Sequence, residues 1–261
     1  MGNRYRLYYD LLKNVVFFKE SFSKISINDD SSAEKSKTDF RVLIHKNTET
    51  VLTAKNLLSL PAKFGCPLWV YDADIIRQQI AKLRQFDVIR FAQKACSNIS
   101  ILKIMHQQGV KVDAVSAGEI ERALAAGYRP LKNKDDIVFT ADVIDESALA
   151  LVVKFKILVN AGSIDMLEQL GKVSTGHRVW LRINPGFGHG HSQKTNTGGE
   201  NSKHGIWHTD LQQALIVIQR YNLNLVGLHM HIGSGVDYTH LERVCEAMVV
   251  GFLFRIEWKK K

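Results

Sequence analysis

Lys94 closes a short apolar run, residues 88–92, within Arg90-Phe91-Ala92-Gln93-Lys94-Ala95-Cys96, and a turn at Ser97-Asn98 follows it at once. A lysine at the carboxyl end of a barrel strand points into the mouth where such folds carry out their chemistry. Partly desolvated, an amine there has a lowered pKa and can form a Schiff base with an aldehyde. Taken alone, Lys94 reads first as an ordinary strand-end lysine snorkelling to water. The rest of the chain shifts that reading.

Leu228-His229-Met230-His231-Ile232-Gly233-Ser234-Gly235 is the second constellation. Apolar residues run up a strand to a histidine, and small residues then let backbone N–H groups approach an anion. His229 and His231 are two residues apart, so both face one side of the strand. His231, directly before the turn, is the stronger candidate, and His229 reads equally as a core histidine with its nitrogens satisfied. Asp113 ends the strand in Lys111-Val112-Asp113-Ala114-Val115-Ser116, and Ala117-Gly118-Glu119-Ile120 opens a helix. Asp113 and Glu119 therefore fall near the same mouth, although Glu119 also suits plain helix-dipole compensation in a first turn. Arg182 lies inside the apolar strand Val179-Trp180-Leu181-Arg182-Ile183-Asn184. A buried guanidinium needs an anionic or aromatic partner, which could be a neighbouring carboxylate or a bound ligand.

From 186 to 206 the chain is polar and rich in glycine and histidine. His189, His191 and His204 raise the thought of a metal, yet no strand or helix fixes them and no thiol or carboxylate cluster accompanies them. A loop that covers substrate is the preferred reading, and no metal is expected.

The elements that must position these residues follow from periodicity. Strands are expected at 67–71, 88–94, 111–116, 136–141, 157–161, 178–184 and 225–232. Helices are expected at 73–83, 99–108, 117–126, 145–154, 164–170, 210–220 and 238–249, with Asp145 and Asp210 as N-caps. Regular alternation with short turns is the pattern of an α/β fold with a parallel sheet. Residues 1–45 are expected to be a poorly ordered extension, since 28–37 is a polar, turn-prone linker; 46–250 form the α/β domain.

Composition limits the partners. The chain has 261 residues, is 45% hydrophobic and carries a formal charge of +9. The basic residues are scattered and no nucleic-acid motif accompanies them, so no nucleic-acid partner is expected. No run approaches the ~18 apolar residues that span a membrane. Three cysteines, Cys66, Cys96 and Cys245, without C-x-x-C spacing suggest reduced thiols and a cytoplasmic setting.

With these motifs together, residues from about 52 to 249 resemble the diaminopimelate decarboxylases, most closely their bacterial branch. The resemblance implies a (β/α)8 TIM-type barrel of the alanine racemase-like kind (fold type III) that uses pyridoxal 5'-phosphate. It implies that Lys94 carries the cofactor, that His231 packs on one face of its ring and that Ser234 lies near its phosphate. Arg182 is implied to face the cofactor, with Asp113 and Glu119 in or beside the site. Lys203, in Asn201-Ser202-Lys203-His204-Gly205, is implied to meet a substrate carboxylate. The implied reaction converts meso-2,6-diaminopimelate to L-lysine and carbon dioxide, in a homodimer whose sites lie at the interface. The family's barrel has eight strands beginning at the lysine strand, and six are legible here. Residues 251–261 do not resemble the family's continuation. Its Gly-Gly-Gly strand, its Glu-Pro-Gly-Arg strand and its carboxyl-terminal β-domain are not found. An incomplete barrel with little or no activity by itself is therefore expected, the rival being an inactive relic or a non-catalytic cofactor-binding barrel.

Overall fold

The computed structural model describes residues 54–130, 135–188, 197–234 and 238–259; the expected extension at 1–45 lies outside them. Described residues up to Gln79 and those from Ile80 onward fall into two compact units.

In the first unit, α1 spans Ala54–Phe64, and α2 begins at Ala73 and runs to Ala81. Asp72 starts α2, its carboxylate accepting the N–H of Asp74 at 2.7 Å and of Ile75 at 3.3 Å. The strand expected at 67–71 is not formed. Leu68, Trp69, Val70 and Tyr71 are exposed there. An apolar run becomes a strand only with a ladder partner, and no described strand pairs with it.

The second unit is a parallel sheet with helices between its strands. The strands are β1 (Arg90–Ala92), β2 (Lys111–Ala114), β3 (Ile137–Phe139), β4 (Leu158–Ala161), β5 (Arg178–Asn184), β6 (Ile206–Trp207) and β7 (Asn224–His229). The helices are α3 (Ile99–Gln107), α4 (Ala117–Ala126), α5 (Glu146–Phe155), α6 (Ile164–Val173), α7 (Leu211–Arg220) and α8 (Tyr238–Lys259). Neighbours run in the order β1-β2-β3-β4-β5, after which β5 pairs with β7 along 178–182 and with the short β6 at 183–184. Six parallel pairings of one α/β sheet are thus in place, and five of them join strands that the alternation of elements predicts. The seventh strand, β6, has only two residues and left no periodic signal.

Several boundaries differ from expectation. The strand at 88–94 shortens to 90–92, and Lys94 sits in a single 3-10 turn, Gln93–Ala95, just beyond it. Asp145 caps α5 as expected, its carboxylate accepting the Ala148 N–H at 2.7 Å. Asp210 does not cap α7: it ends a 3-10 turn with φ −91° and ψ 3°, not the extended backbone of an N-cap, and its side chain makes no cap hydrogen bond. Residues 251–259 continue α8 beyond its expected end at 249, because nothing between 245 and 259 breaks a helix except the tolerated Gly251.

Alternation sorts each strand into two faces. Val112, Ala114, Val179, Leu181 and Ile183 are buried, while Arg90, Ala92, Asp113, Trp180 and Arg182 line a cavity on the other face. Below the cavity Arg178 grips the Asp135 carboxylate with two nitrogens, the Nη2–Oδ2 contact being 3.0 Å. Gly171 of α6 marks the tightest helix contact: a Cβ there would lie 2.4 Å from the Tyr221 ring. Gly171→Ala is expected to lower stability by roughly 1–3 kcal/mol through overpacking, read as a lower urea midpoint at unchanged slope. An unchanged midpoint would show that the ring yields freely.

Candidate active site

Strand register sets the floor and walls of the cavity. Ala92, Asp113 and Val138 lie side by side across β1, β2 and β3. Two residues further along, Lys94, Val115 and Thr140 continue the same wall, and all six line the cavity. On the opposite side Arg182 of β5 pairs in register with His229 of β7, and His231 follows at the strand's end. The volume is about 500 Å³, within the range of small-molecule sites.

A bulge in β7 makes room for one lining side chain. Val179 pairs with Leu225 but Trp180 pairs with Gly227, leaving Val226 as the extra residue. A Cβ on Gly227 would come within 2.5 Å of the Trp180 indole nitrogen. Glycine is therefore what lets the indole lie flat across the sheet. Arg90 stacks over that ring at 5.4 Å and donates to the carbonyls of Asp135 (2.6 Å) and Val112 (3.3 Å).

The segment after β5 is stapled to the sheet by one buried amide. Asn184 accepts the N–H groups of Gly186 (3.1 Å) and Gly199 (2.9 Å) and donates to the Gly199 carbonyl (3.0 Å). Thr197 then donates to the His231 carbonyl at 3.1 Å. Gly205, at φ +84°, passes so close to β5 that a Cβ would sit 3.0 Å from the Asn184 nitrogen. This brings Lys203 and His204 to Asp142, which follows β3. His204 Nδ1 is 2.8 Å from Asp142 Oδ1, Arg182 Nη1 is 3.5 Å from the same oxygen, and Lys203 Nζ is 3.8 Å from Oδ2.

Burial shapes the electrostatics. His229 is driven down to about 3, first by burial and then by the charges of Arg182 and His231. His231 falls to about 4, again by burial first, then Arg182, Lys94 and His204. Both rings are neutral at ordinary pH. Arg182, 9% exposed, is lowered by burial, with Asp142 and Asp113 opposing. His229 Nδ1 is closed off from solvent and has no hydrogen-bond partner among the described residues.

The structure brings together Lys94, Asp113, Arg182, His229 and His231. Lys94 is exposed, so the desolvation that the sequence suggested for it is not found: its 3-10 turn lifts it past the strand end. Glu119, Ser234 and Lys203 are not among the lining residues. The Glu119 carboxylate turns back to accept the Val115 N–H at 2.9 Å, while its own N–H is capped by Ser116. Burial raises its pKa, chiefly against the Val115 bond, which lowers it. Ser234 is exposed, and the following Gly235 lies outside the described residues. So do His189 and His191; His204 is held by Asp142, and no group of three possible metal ligands exists among the described residues.

Arg90, Thr140, Asp142, Trp180 and Asn184 went unread in the sequence. Two signals were available: Arg90 shares the parity of Lys94, and Asp142 stands just past a strand's carboxyl end, as Lys94 does.

The chain belongs to the pyridoxal-dependent decarboxylases: residues 72–255 match that family's pyridoxal binding domain. Its similarity within the family is to diaminopimelate decarboxylases. That of Escherichia coli strain K12 is 75% identical over 203 residues, 78% of this chain and 48% of the relative. A crystal structure of a diaminopimelate decarboxylase superposes with a TM-score of 0.74 at 75% identity, covering 77% of this chain and 48% of that one. The diaminopimelate decarboxylase from Helicobacter pylori complexed with L-lysine gives 0.63 at 29% identity, covering 69% and 48%. The chain spans about half the length of the curated relatives it matches.

Pyridoxal phosphate is the family's cofactor, and the cavity suits it on four counts. An amine stands at the rim, three cations (Arg90, Lys94, Arg182) face two carboxylates (Asp113, Asp142), a neutral imidazole borders the space, and His229 Nδ1 is a closed-off acceptor or donor.

Proposed function

We propose that this chain is the cofactor-binding part of a diaminopimelate decarboxylase, acting on meso-2,6-diaminopimelate to give L-lysine and carbon dioxide. The observation that carries the reading is the joint placement of Lys94, Arg182 and His231 around one cavity in a chain 75% identical to such an enzyme over 203 residues. Pyridoxal phosphate, when bound, supplies an electron-accepting ring for the bond pair left by departing carbon dioxide.

The chain's own residues divide the remaining work. Lys94 would hold the cofactor at its aldehyde end through its amine. His231 would border the cofactor as a neutral imidazole, kept so by burial and by the Arg182 and Lys94 charges. Arg182 and Arg90 offset the cofactor's negative charge, and Asp113 balances them within the cavity. Ser234, Glu119 and Lys203 belong to this reading on the family resemblance alone: Ser234 for the phosphate, Glu119 beside the site, Lys203 for a substrate carboxylate. A homodimer and a cytoplasmic location are part of the same reading.

The experiment is a chimera of the Escherichia coli enzyme in which residues 72–255 of this chain replace the matching segment. It is expected to release carbon dioxide from meso-diaminopimelate, with lysine as the other product. The 261-residue chain assayed alone is expected to fall far below the ~1–10³ s⁻¹ of competent enzymes, since β1 and β7 each have an open edge among the described strands. A folded, cofactor-loaded chimera without decarboxylation would overturn the assignment, and fast turnover by the chain alone would overturn the second expectation.

A further inference from the structure

An amine can condense with an aldehyde only after it has lost its proton, because the nitrogen needs its electron pair for the attack. An amino-acid substrate arrives as an ammonium ion, so the cavity must hold a group that takes that proton. His229 and His231 are poorer candidates: both are half-buried rings on which burial and the charge of Arg182 oppose a bound proton. Arg90 and Arg182 have no lone pair to offer.

His204 is the one of the three histidines lining this cavity that is paired with a carboxylate. It lines the same cavity, and its side chain is 24% exposed, so it can exchange a proton with solvent. Its Nδ1 is 2.8 Å from a carboxylate oxygen of Asp142. That contact fixes the ring: Nδ1–H donates to Asp142, and Nε2 carries the lone pair. No described residue bonds Nε2. Backbone geometry backs the placement, since Gly205 packs against β5 and Ser202 Oγ accepts the His204 N–H at 3.2 Å.

We propose that His204 is the base that accepts a proton from the incoming substrate ammonium, with Asp142 as its positioning residue. The N–H bond of the ammonium breaks, an Nε2–H bond forms, and the electron pair stays on the amine nitrogen. The resulting imidazolium is paired with the Asp142 carboxylate until water removes the proton. The step rests on the cofactor-binding reading above, but the dyad itself does not need cofactor to be observed.

Two measurements test it. Nitrogen-15 spectra of the histidine rings in the full chain, with the His204 signal assigned by its loss in His204→Gln, are expected to show the neutral ring protonated on Nδ1. Asp142→Ala should release this preference, and Asp142→Asn, which keeps an acceptor oxygen, should retain it. A ring protonated on Nε2, or one indifferent to Asp142→Ala, overturns the positioning role even if no variant binds cofactor. In pyridoxal-phosphate-loaded protein, the spectral change on adding ethylamine is expected to slow by about 100-fold in His204→Ala. Added imidazole should restore much of the rate. An undiminished rate, or a slow one that imidazole does not raise, overturns the base role. Failure of the parent chain to take up cofactor counts against the proposed function, while the ring spectra still decide the dyad.

Discussion

Lys94→Ala is expected to abolish site-specific attachment of pyridoxal phosphate. After incubation and borohydride reduction, the parent chain should carry the label on the peptide containing Lys94, and the alanine variant should carry none at any single position. Lys203→Ala provides the contrast: Lys203 Nζ is tied to Asp142 at 3.8 Å and does not line the cavity, so the label should remain on Lys94. Surface lysines react with aldehydes indiscriminately and at low occupancy. A label spread over them, and unaltered by Lys94→Ala, would refute the assignment.

The second large effect is a loss of stability in mild acid. His231 and His229 titrate at about 4 and about 3 when folded, well below the ~6.5 of an unfolded histidine. A third ring, His177, is 3% exposed and also lowered, by burial first. Its Nε2–H donates to the Ile157 carbonyl at 2.7 Å, so Nδ1 accepts from the Ser174 hydroxyl at 3.0 Å. Protonating His177 places a charge in a buried site, with the Ser174 hydroxyl turning from donor to acceptor. Between pH ~6.5 and ~4 the unfolded chain therefore binds more protons than the folded one, and stability falls as pH falls. Above ~6.5 all three rings are neutral in both states and the penalty vanishes; below the folded values it is complete. Each fully discriminated proton contributes about 1.4 kcal/mol per pH unit, so His229 and His231 together should weaken the fold by several kcal/mol near pH 4.5, with His177 acting in the same direction. Urea midpoints at pH 7.5, 6 and 5 provide the measurement, with His177→Gln expected to flatten the dependence. A midpoint level from pH 7.5 to 5 would show that these rings are not held neutral.

Much of this architecture could be read from residue order, for identifiable reasons. Strands β3, β4 and β5 are largely apolar runs closed by turn residues, and such runs have few alternatives when helices cover one face. Lys94, Asp113, Arg182 and His231 were legible because each is a polar group at or near the end of such a run. Other features depend on partners distant in sequence. Residues 67–71 look like a strand until one asks what they pair with. The two residues of β6 become a strand only because Asn184 and Gly205 bring them beside β5. Asp142 matters through Arg182, Lys203 and His204, which lie 40 to 62 positions away, and no local pattern carries that information. Arg90 is the instructive omission: it sits four residues before Lys94 on the same face, within the stretch first singled out.

Asn184 also has a bearing on how freely this protein can vary. One side chain clamps Gly186 and Gly199 to the same point on the sheet, so the ends of the intervening segment are held whatever lies between them. The entropy of closing a loop grows only with the logarithm of its length, about 0.6 kcal/mol for each doubling. Insertions and deletions between the two anchor points should therefore leave the cavity's framework intact.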